Sequence, residues 1–295
     1  MKRGGYSYEV SVKSGASDEL INTYILRPIA GLIVRSLYRT PVTPNQVTLA
    51  ATAAGLAAAA LYSQGTPLLT ALAGLSLTAK DLLDSADGQL ARAKGMFSRA
   101  GRFLDSIGDF AVNLAVFCAI AVAMVRGGSG AGAPALCLCA FLGLSLRVSY
   151  HVFYQTSFLH LRNAYTGNRT SEEILEEDAN EDRLTSSLHR TFLILYRWQD
   201  AFIARLDAAC RGRSGTSGVT DERWYGDVTG VRLSGFLGLG TELFLLTTCS
   251  VLNRLDAYLW INAVGMNLLW LLCVAYRGVI LRREGGKISF SGRRS

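Results

Sequence analysis

Four aspartates are the residues of this chain best suited to chemistry: Asp84, Asp87, Asp105 and Asp109. They stand in the stretch Asp84-Ser-Ala-Asp87-Gly88-Gln-Leu-Ala91-Arg92, then, after eight residues, in Gly101-Arg-Phe-Leu-Asp105-Ser-Ile-Gly-Asp109. The first pair is spaced i,i+3 and the second i,i+4, so on helices each pair shares one face. Both pairs sit in apolar surroundings, where a carboxylate is costly and four of them repel. Divalent cations would remove that cost. An all-carboxylate, sulfur-free ligand set suits Mg²⁺ or Mn²⁺, and such ions can bridge the oxygens of a pyrophosphate and stabilise an in-line displacement. Gly88, Ala91 and Gly101 remove side chains where a ligand must approach the backbone. Arg92 could pair with a phosphate or with one of the aspartates. The bland alternative is a hairpin whose acids merely pair with Arg92, Lys94, Arg99 and Arg102. Four acids at these levels favour function.

The elements that must position these groups read as membrane helices. Half of the 295 residues are hydrophobic, 18% are charged and the mean hydropathy is +0.25, against about 25% charged residues in a soluble domain. Six apolar stretches, 47–63, 67–86, 103–125, 132–156, 228–252 and 256–281, approach the roughly 20 residues that cross a bilayer. The loops after the first, third and fifth hold only Arg126 and Arg254. Cations gather instead in the N-terminal segment, in the turn after the second stretch (Arg92, Lys94, Arg99, Arg102) and in the tail. The positive-inside rule therefore places both termini and the aspartates at the cytoplasmic face. The net charge of +7 is concentrated on that face, where it would attract membrane lipids and phosphorylated substrates. Much of it serves topology, so it is not read as nucleic-acid binding. The expected fold is all-α: an integral, multi-pass bundle of six transmembrane helices with an N-terminal amphipathic interfacial helix.

Five regions follow. Residues 1–42 are a cytoplasmic N-terminus whose segment 18–40 gathers Tyr24, Ile25, Ile29, Leu32 and Ile33 broadly on one side, as a surface-lying helix does. Residues 43–156 hold helices one to four, with Thr43 as N-cap and Pro44 at the first helical position of helix one. Residues 157–227 are a polar insert. It contains an acidic run at 172–182, an amphipathic helix at 184–209 and a flexible Ser/Gly stretch at 212–218. The helix is expected on the membrane or against a partner subunit. His160 and His189 of the insert are expected at the surface. Residues 228–281 hold helices five and six, and 282–295 are a basic tail. The six cysteines lack metal spacing and read as packing residues. The sequon at 168–170 carries no weight on a cytoplasmic segment.

On helix four, Arg147 and His151 are spaced i,i+4, and Arg147 falls near the expected depth of Asp109. Arg147 is expected to face the site and bind an anionic group of donor or acceptor. The equal alternative is a structural arginine paired with an aspartate or backbone carbonyls. Arg232 is a candidate contact for a lipid phosphate. Lys80 and Asp81 lie one turn before Asp84. Asp81 either extends the acidic face or pairs with Lys80 or another helix.

The pattern D-x2-D-G-x2-A-R-x8-G-x3-D-x3-D is filled at every fixed position and resembles the CDP-alcohol phosphotransferase (CDP-alcohol phosphatidyltransferase) family. The likeness extends to Thr43-Pro44-Asn45-Gln46-Val47-Thr48, to the preceding amphipathic helix and to the six-span layout, and leaves 157–227 uncovered. It implies a homodimeric membrane enzyme of phospholipid synthesis that uses Mg²⁺ or Mn²⁺, with two ions expected. Asp84, Asp87 and Asp105 would be metal ligands, and Asp109 the general base with a share in metal binding. Asn45, Thr48, Asp84, Gly88, Ala91, Arg92 and Gly101 would line the CDP site. The resemblance implies transfer of a phosphatidyl group from CDP-diacylglycerol to a small polar alcohol, such as inositol phosphate or glycerol phosphate, with release of CMP. The other branch of the family moves a head group from CDP-choline, CDP-ethanolamine or CDP-inositol to a lipid or sugar-phosphate acceptor. A reading from another class is a non-catalytic lipid-binding protein or transporter, and the absence of inverted repeats speaks against the transporter.

Overall fold

A computed structural model describes residue 8 and residues 22–130, 132–162, 182–212 and 220–281. The start of the surface helix, the sequon, nearly all of the acidic run, the 213–218 stretch and the basic tail lie outside the described residues, which form helices and no strand. In chain order these are α1 (Arg27–Leu37, after a π-helical turn Asn22–Leu26), α2 (Pro44–Tyr62), α3 (Pro67–Lys94), α4 (Arg99–Arg126), α5 (Gly132–Leu161), α6 (Arg183–Gly212), α7 (Asp221–Tyr225), α8 (Val228–Gly235), α9 (Leu239–Val251), α10 (Leu255–Trp260) and α11 (Asn267–Ala275). A π segment, Ile261–Met266, joins α10 to α11, and another, Tyr276–Leu281, follows α11.

Four helical segments are long and apolar enough to cross a membrane: Arg99–Arg126, Gly132–Leu161, Asp221–Val251 and Leu255–Val279. They fit a multi-pass membrane protein. The six-span expectation is met for these four. Both remaining stretches are helical at the expected places, but α2 opens on Pro-Asn-Gln and has only 19 residues. Helix α3 carries Lys80, Asp81, Asp84 and Asp87 in its second half. Helix five is also not continuous. It breaks at 236–238, between α8 and α9, and helix six is interrupted by the π segment at 261–266.

Local signals set the helix ends. Thr43 caps α2: its hydroxyl accepts the Gln46 N–H, while the Gln46 side chain accepts the Thr43 N–H at 2.9 Å, and Pro44 occupies the first turn. This reciprocal pair satisfies two otherwise orphaned donors. Helix α3 stops at Gly95, whose left-handed φ of 65° favours glycine. Ser98 then caps α4 by accepting the Gly101 N–H at 3.0 Å. The turn is tied down by Lys94, which donates to the carbonyls of Thr40 and Val42 at 2.9 and 2.7 Å.

Small residues let the helices close on one another. A Cβ on Gly55 of α2 would lie 2.5 Å from the Val112 side chain of α4, and one on Gly74 of α3 would lie 2.8 Å from Ser250 Cβ and 3.2 Å from the Thr247 backbone of α9. The α3–α9 seam is also hydrogen-bonded, since Thr247 Oγ1 donates to the Gly74 carbonyl at 2.9 Å. The first half of the bundle thus packs α2, α3 and α4 together, with α9 on α3 and α5 on α4. Its apolar centre runs through Tyr62, Leu77, Val116, Ile120, Phe141 and Leu246. Helix α1 lays Ala30 and Val34 against Ala86 and Leu90 of α3 and turns Tyr24, Ile25, Ile29 and Leu32 outward. The stripe seen in the sequence is thus divided: Ile33 and Leu37 pack against this cluster, and the other four residues face away from it.

The second half is knitted by buried polar groups. Arg147, fully buried, donates from Nη2 to Glu242 at 3.1 Å, and from Nη1 to the Asn262 carbonyl at 3.1 Å and Asn267 Oδ1 at 2.8 Å. The Asn262 carbonyl lies in the π segment. Glu242 also accepts from Tyr258 at 2.9 Å and from the Asn262 side chain. Arg147 is therefore a structural arginine, paired with Glu242 rather than an aspartate: it links α5 to α9 and to the helix-six segment, and it does not point at the aspartates. Nearby, Asp207 of α6 accepts from Tyr154, Trp224 and Tyr225 at 2.6, 2.7 and 2.8 Å. Arg277 lies 3.7 Å above the Tyr154 ring and donates to the Trp224 carbonyl. All six cysteines are free thiols.

Two outcomes follow for stability. Gly74→Ala should cost about 1–3 kcal/mol, because the Thr247 backbone cannot yield, read as a lowered Tm in detergent. Arg147→Met should cost about 3–5 kcal/mol by stranding Glu242, and the double variant with Glu242→Met should regain part of it. A ligand-binding Arg147 would instead raise the acceptor KM and leave Tm in place.

Candidate active site

Helices α3 and α4 both pack on α2, and with the short turn between them the two aspartate pairs come to one level. Asp84, Asp105 and Asp109 each offer a carboxylate oxygen within 4.8 Å of the others. Asp87 is close enough to feel Asp84 and Asp109, but its own carboxylate is engaged by Thr48 of α2, whose Oγ1 lies 2.5 Å from Asp87 Oδ2. Thr48 thereby anchors one acid to the neighbouring helix.

Lys80 lies one helical turn before Asp84, so i,i+4 geometry points its side chain along the acidic face. Its ammonium group, 2% exposed, donates to Asp109 Oδ1 and stands 3.7 Å from Asp84 Oδ1. The sequence holds Lys80 in plain view; its position one turn from Asp84 was the available signal, and its partner needed the fold. Asp105 meets no such cation: its Oδ1 is buried with no hydrogen-bond partner. A buried, partnerless carboxylate oxygen beside two further carboxylates is a ligand set for a hard divalent cation. The residues present therefore fit Mg²⁺ or Mn²⁺.

The residues expected around a nucleotide divide in two. A Cβ on Gly88 would touch only the Arg92 guanidinium, at 3.5 Å, so open space remains beside that backbone, and Ala91 and Arg92 lie half-buried on the same stretch. Gly101 has a packing duty instead. A Cβ there would lie 2.6 Å from Asn45 Oδ1 and 2.8 Å from Ser98 Oγ, so its smallness admits the start of α2. One turn below Asp105, Gly108 does the same for Thr52, whose Oγ1 would sit 2.5 Å from a Cβ. Asn45 is exposed and Thr48 buried.

The residues expected to serve an acceptor are placed as follows. Arg147 is consumed by Glu242, the buried His151 places Nδ1 3.2 Å from Ser234 Oγ of α8, and Arg232 is exposed on α8. The insert helix does reach the aspartate site. Helix α6 packs on α4 and α5 of its own chain, while Leu184, Ile194, Trp198 and Phe202 stay exposed on it. Tyr196 donates to the Ser106 carbonyl at 2.7 Å, between Asp105 and Asp109, and Ser149 donates to Gln199 at 2.7 Å. Burial beside those two acids pushes the Tyr196 phenol above its ordinary pKa, so it stays a neutral donor. His189, expected at the surface, is buried and stacks on Phe103 of α4 at 4.7 Å between ring centres.

Comparison with known proteins agrees with this geometry. Residues 41–166 match the model of the CDP-alcohol phosphatidyltransferase family. The bifunctional IPC transferase and DIPP synthase of Thermococcus kodakarensis is 30% identical over 112 residues, covering 38% of this chain and 25% of that protein. The match thus spans about a quarter of that relative's length. Members of the family are transferases of substituted phosphate groups. With all four aspartates, the glycines between them and the capped start of α2 inside the matched region, residues 41–166 are a CDP-alcohol phosphatidyltransferase domain.

Proposed function

We propose that this chain is a metal-dependent CDP-alcohol phosphotransferase of phospholipid synthesis that releases CMP from a CDP-activated donor. The observation that carries the reading is the convergence of Asp84, Asp105 and Asp109 within 4.8 Å, on the two helices that hold the complete D-x2-D-G-x2-A-R-x8-G-x3-D-x3-D pattern. Asp84, Asp87 and Asp105 hold the divalent cation, with Asp109 sharing. Bound there, Mg²⁺ or Mn²⁺ supplies positive charge to the diphosphate oxygens as the bond to CMP breaks. The open side of Gly88, with Ala91, Arg92, Asn45 and Thr48, receives the nucleotide.

Asp109 is the base. Lys80 engages its Oδ1, so Oδ2 takes the proton of the acceptor hydroxyl. The freed oxygen attacks the phosphorus distal to cytidine, the diphosphate P–O bond breaks, and CMP departs with the bonding electrons. Arg147 is spent within the fold, so an acceptor phosphate must find its charge elsewhere, and the cations of the α3–α4 turn are the nearest in sequence.

The donor is CDP-diacylglycerol and the acceptor a small polar alcohol, with inositol phosphate and glycerol phosphate the first to try. The four apolar segments supply a membrane setting for a lipid donor. A second reading, head-group transfer from CDP-choline, CDP-ethanolamine or CDP-inositol to a lipid or sugar phosphate, uses the same aspartates. The outward apolar stripe of α1 supports an interfacial helix. The cation distribution supports both termini and the site facing the cytoplasm, with α2 and α3 completing six crossings. A homodimer accords with the family.

One assay tests the reading: full-length protein in detergent with Mg²⁺ or Mn²⁺, each donor class against a panel of acceptors, and CMP as the readout. Asp109→Asn should lower turnover by about 10²–10⁴-fold with helicity and Tm retained. Normal turnover in that variant would remove Asp109 as the base, and absence of CMP with every pair would remove the enzyme reading.

A further inference from the structure

Helix α6 spends one side on its own chain and leaves another uncovered. On the inner side His189 stacks on Phe103 with ring centres 4.7 Å apart, and Tyr196 donates to the Ser106 carbonyl at 2.7 Å. Further along, Ser149 donates to Gln199 at 2.7 Å and Tyr154 to Asp207 at 2.6 Å. From His189 to Asp207 these contacts run along about 27 Å of α6. On α4 they fall within about 11 Å of its start at Arg99, and on α5 within about 18 Å of its end at Leu161. Both α4 and α5 are apolar segments able to cross a membrane, with 28 and 30 residues. Each outreaches the roughly 30 Å of hydrocarbon by about one turn at either end. Helix α6 therefore lies across the same end of two spans, at the level where headgroups meet acyl chains.

The uncovered side carries Ile194, Trp198 and Phe202, one turn apart and 77%, 47% and 44% exposed. Arg190, Arg197 and Arg205 stand exposed beside this stripe, and none of them enters an ion pair among the described residues. Against these three arginines the stretch from Arg190 to Arg205 holds one acid, Asp200. From the stripe, its arginines and its level on the spans, we infer that the outer side of α6 is seated on anionic lipid headgroups. Ile194, Trp198 and Phe202 enter the upper acyl region, and the three arginines meet lipid phosphates. An indole has an apolar body and a polar N–H, which suits that boundary. Arginine stems cover apolar surface while their heads stay among charges, and anionic headgroups attract them. A second copy seated there by a two-fold axis would bring arginines against arginines, with one aspartate per chain to offset them. Lipid phosphates offset all three. The inference rests on the membrane setting of α4 and α5 and is independent of the transfer reaction. Because the inner side of α6 braces the turn between Asp105 and Asp109 through Tyr196, the lipid seat and the acidic cluster share one element.

The test places full-length protein in nanodiscs of phosphatidylcholine, with or without phosphatidylglycerol, whose acyl chains carry bromine near the carbonyl end. Trp198 is read as the difference in fluorescence between the wild type and Trp198→Phe. In discs with phosphatidylglycerol the bromines should quench the Trp198 signal, and acrylamide added to the water should leave it in place. Quenching by bromine should be weaker in phosphatidylcholine alone. The triple variant Arg190→Gln, Arg197→Gln, Arg205→Gln should lose the difference between the two lipids. Equal quenching of the wild type in both lipids overturns the anionic seat, whether or not the triple variant folds. Quenching by acrylamide and not by bromine overturns it as well, since the stripe would then face water. Shielding from both quenchers in discs that hold two copies gives the surface to a second copy and likewise overturns it.

Discussion

Carboxylate oxygens from Asp84, Asp105 and Asp109 lie within 4.8 Å of one another, on helices with apolar surroundings. At that spacing like charges repel strongly in a medium that screens poorly, and each also loses hydration. The arrangement persists only if positive charge stands among them and the backbone that carries them cannot relax. Lys80 supplies a fixed part of that charge, Thr48 supplies a hydroxyl to Asp87, and the partnerless Asp105 oxygen marks where further charge belongs.

The remaining architecture of the first half acts as a clamp against this repulsion. The Gly95 stop, the Ser98 cap and the Lys94 bonds to Thr40 and Val42 hold the α3–α4 turn in one geometry. Gly101 and Gly108 bring α4 against Asn45 and Thr52 of α2, close enough that α2 can offer Thr48 to α3. Between helices in lipid there is little hydrophobic gain, so close approach of small residues and interhelical hydrogen bonds carry the association. The glycines of the motif thus serve two ends: Gly101 is spent on packing, and Gly88 keeps its open side.

The second half carries its own buried charges, and two of them meet partners within the protein. Arg147 meets Glu242, and Asp207 meets three ring donors. These bonds tie α5 to α9, and α5 and α6 to α7. Helix α6 then brings Tyr196 to the Ser106 carbonyl between two of the aspartates. A segment that reads as a peripheral insert is in this way part of the surroundings of the site.

The sequence alone determined the helical class, the four most apolar segments, the N-cap of α2, the four aspartates and the family of residues 41–166. These depend on composition and on spacings within one or two turns, where chemistry is local. Periodicity alone could not assign partners across 50 or more residues. It allowed Arg147 to be a ligand or a structural cation, and only the positions of α9 and the π segment gave it Glu242 and the Asn262 carbonyl. It read Lys80 as a neighbour of Asp84 without showing that its ammonium crosses to Asp109 on the next helix. It read 184–209 as amphipathic without showing that the fold would divide its apolar residues, some packed with α4 and α5 and others, such as Ile194, Trp198 and Phe202, left exposed. Tertiary structure decided each case for one reason: a buried charge or apolar face settles on whichever partner the packing brings near, and chain spacing does not encode that distance.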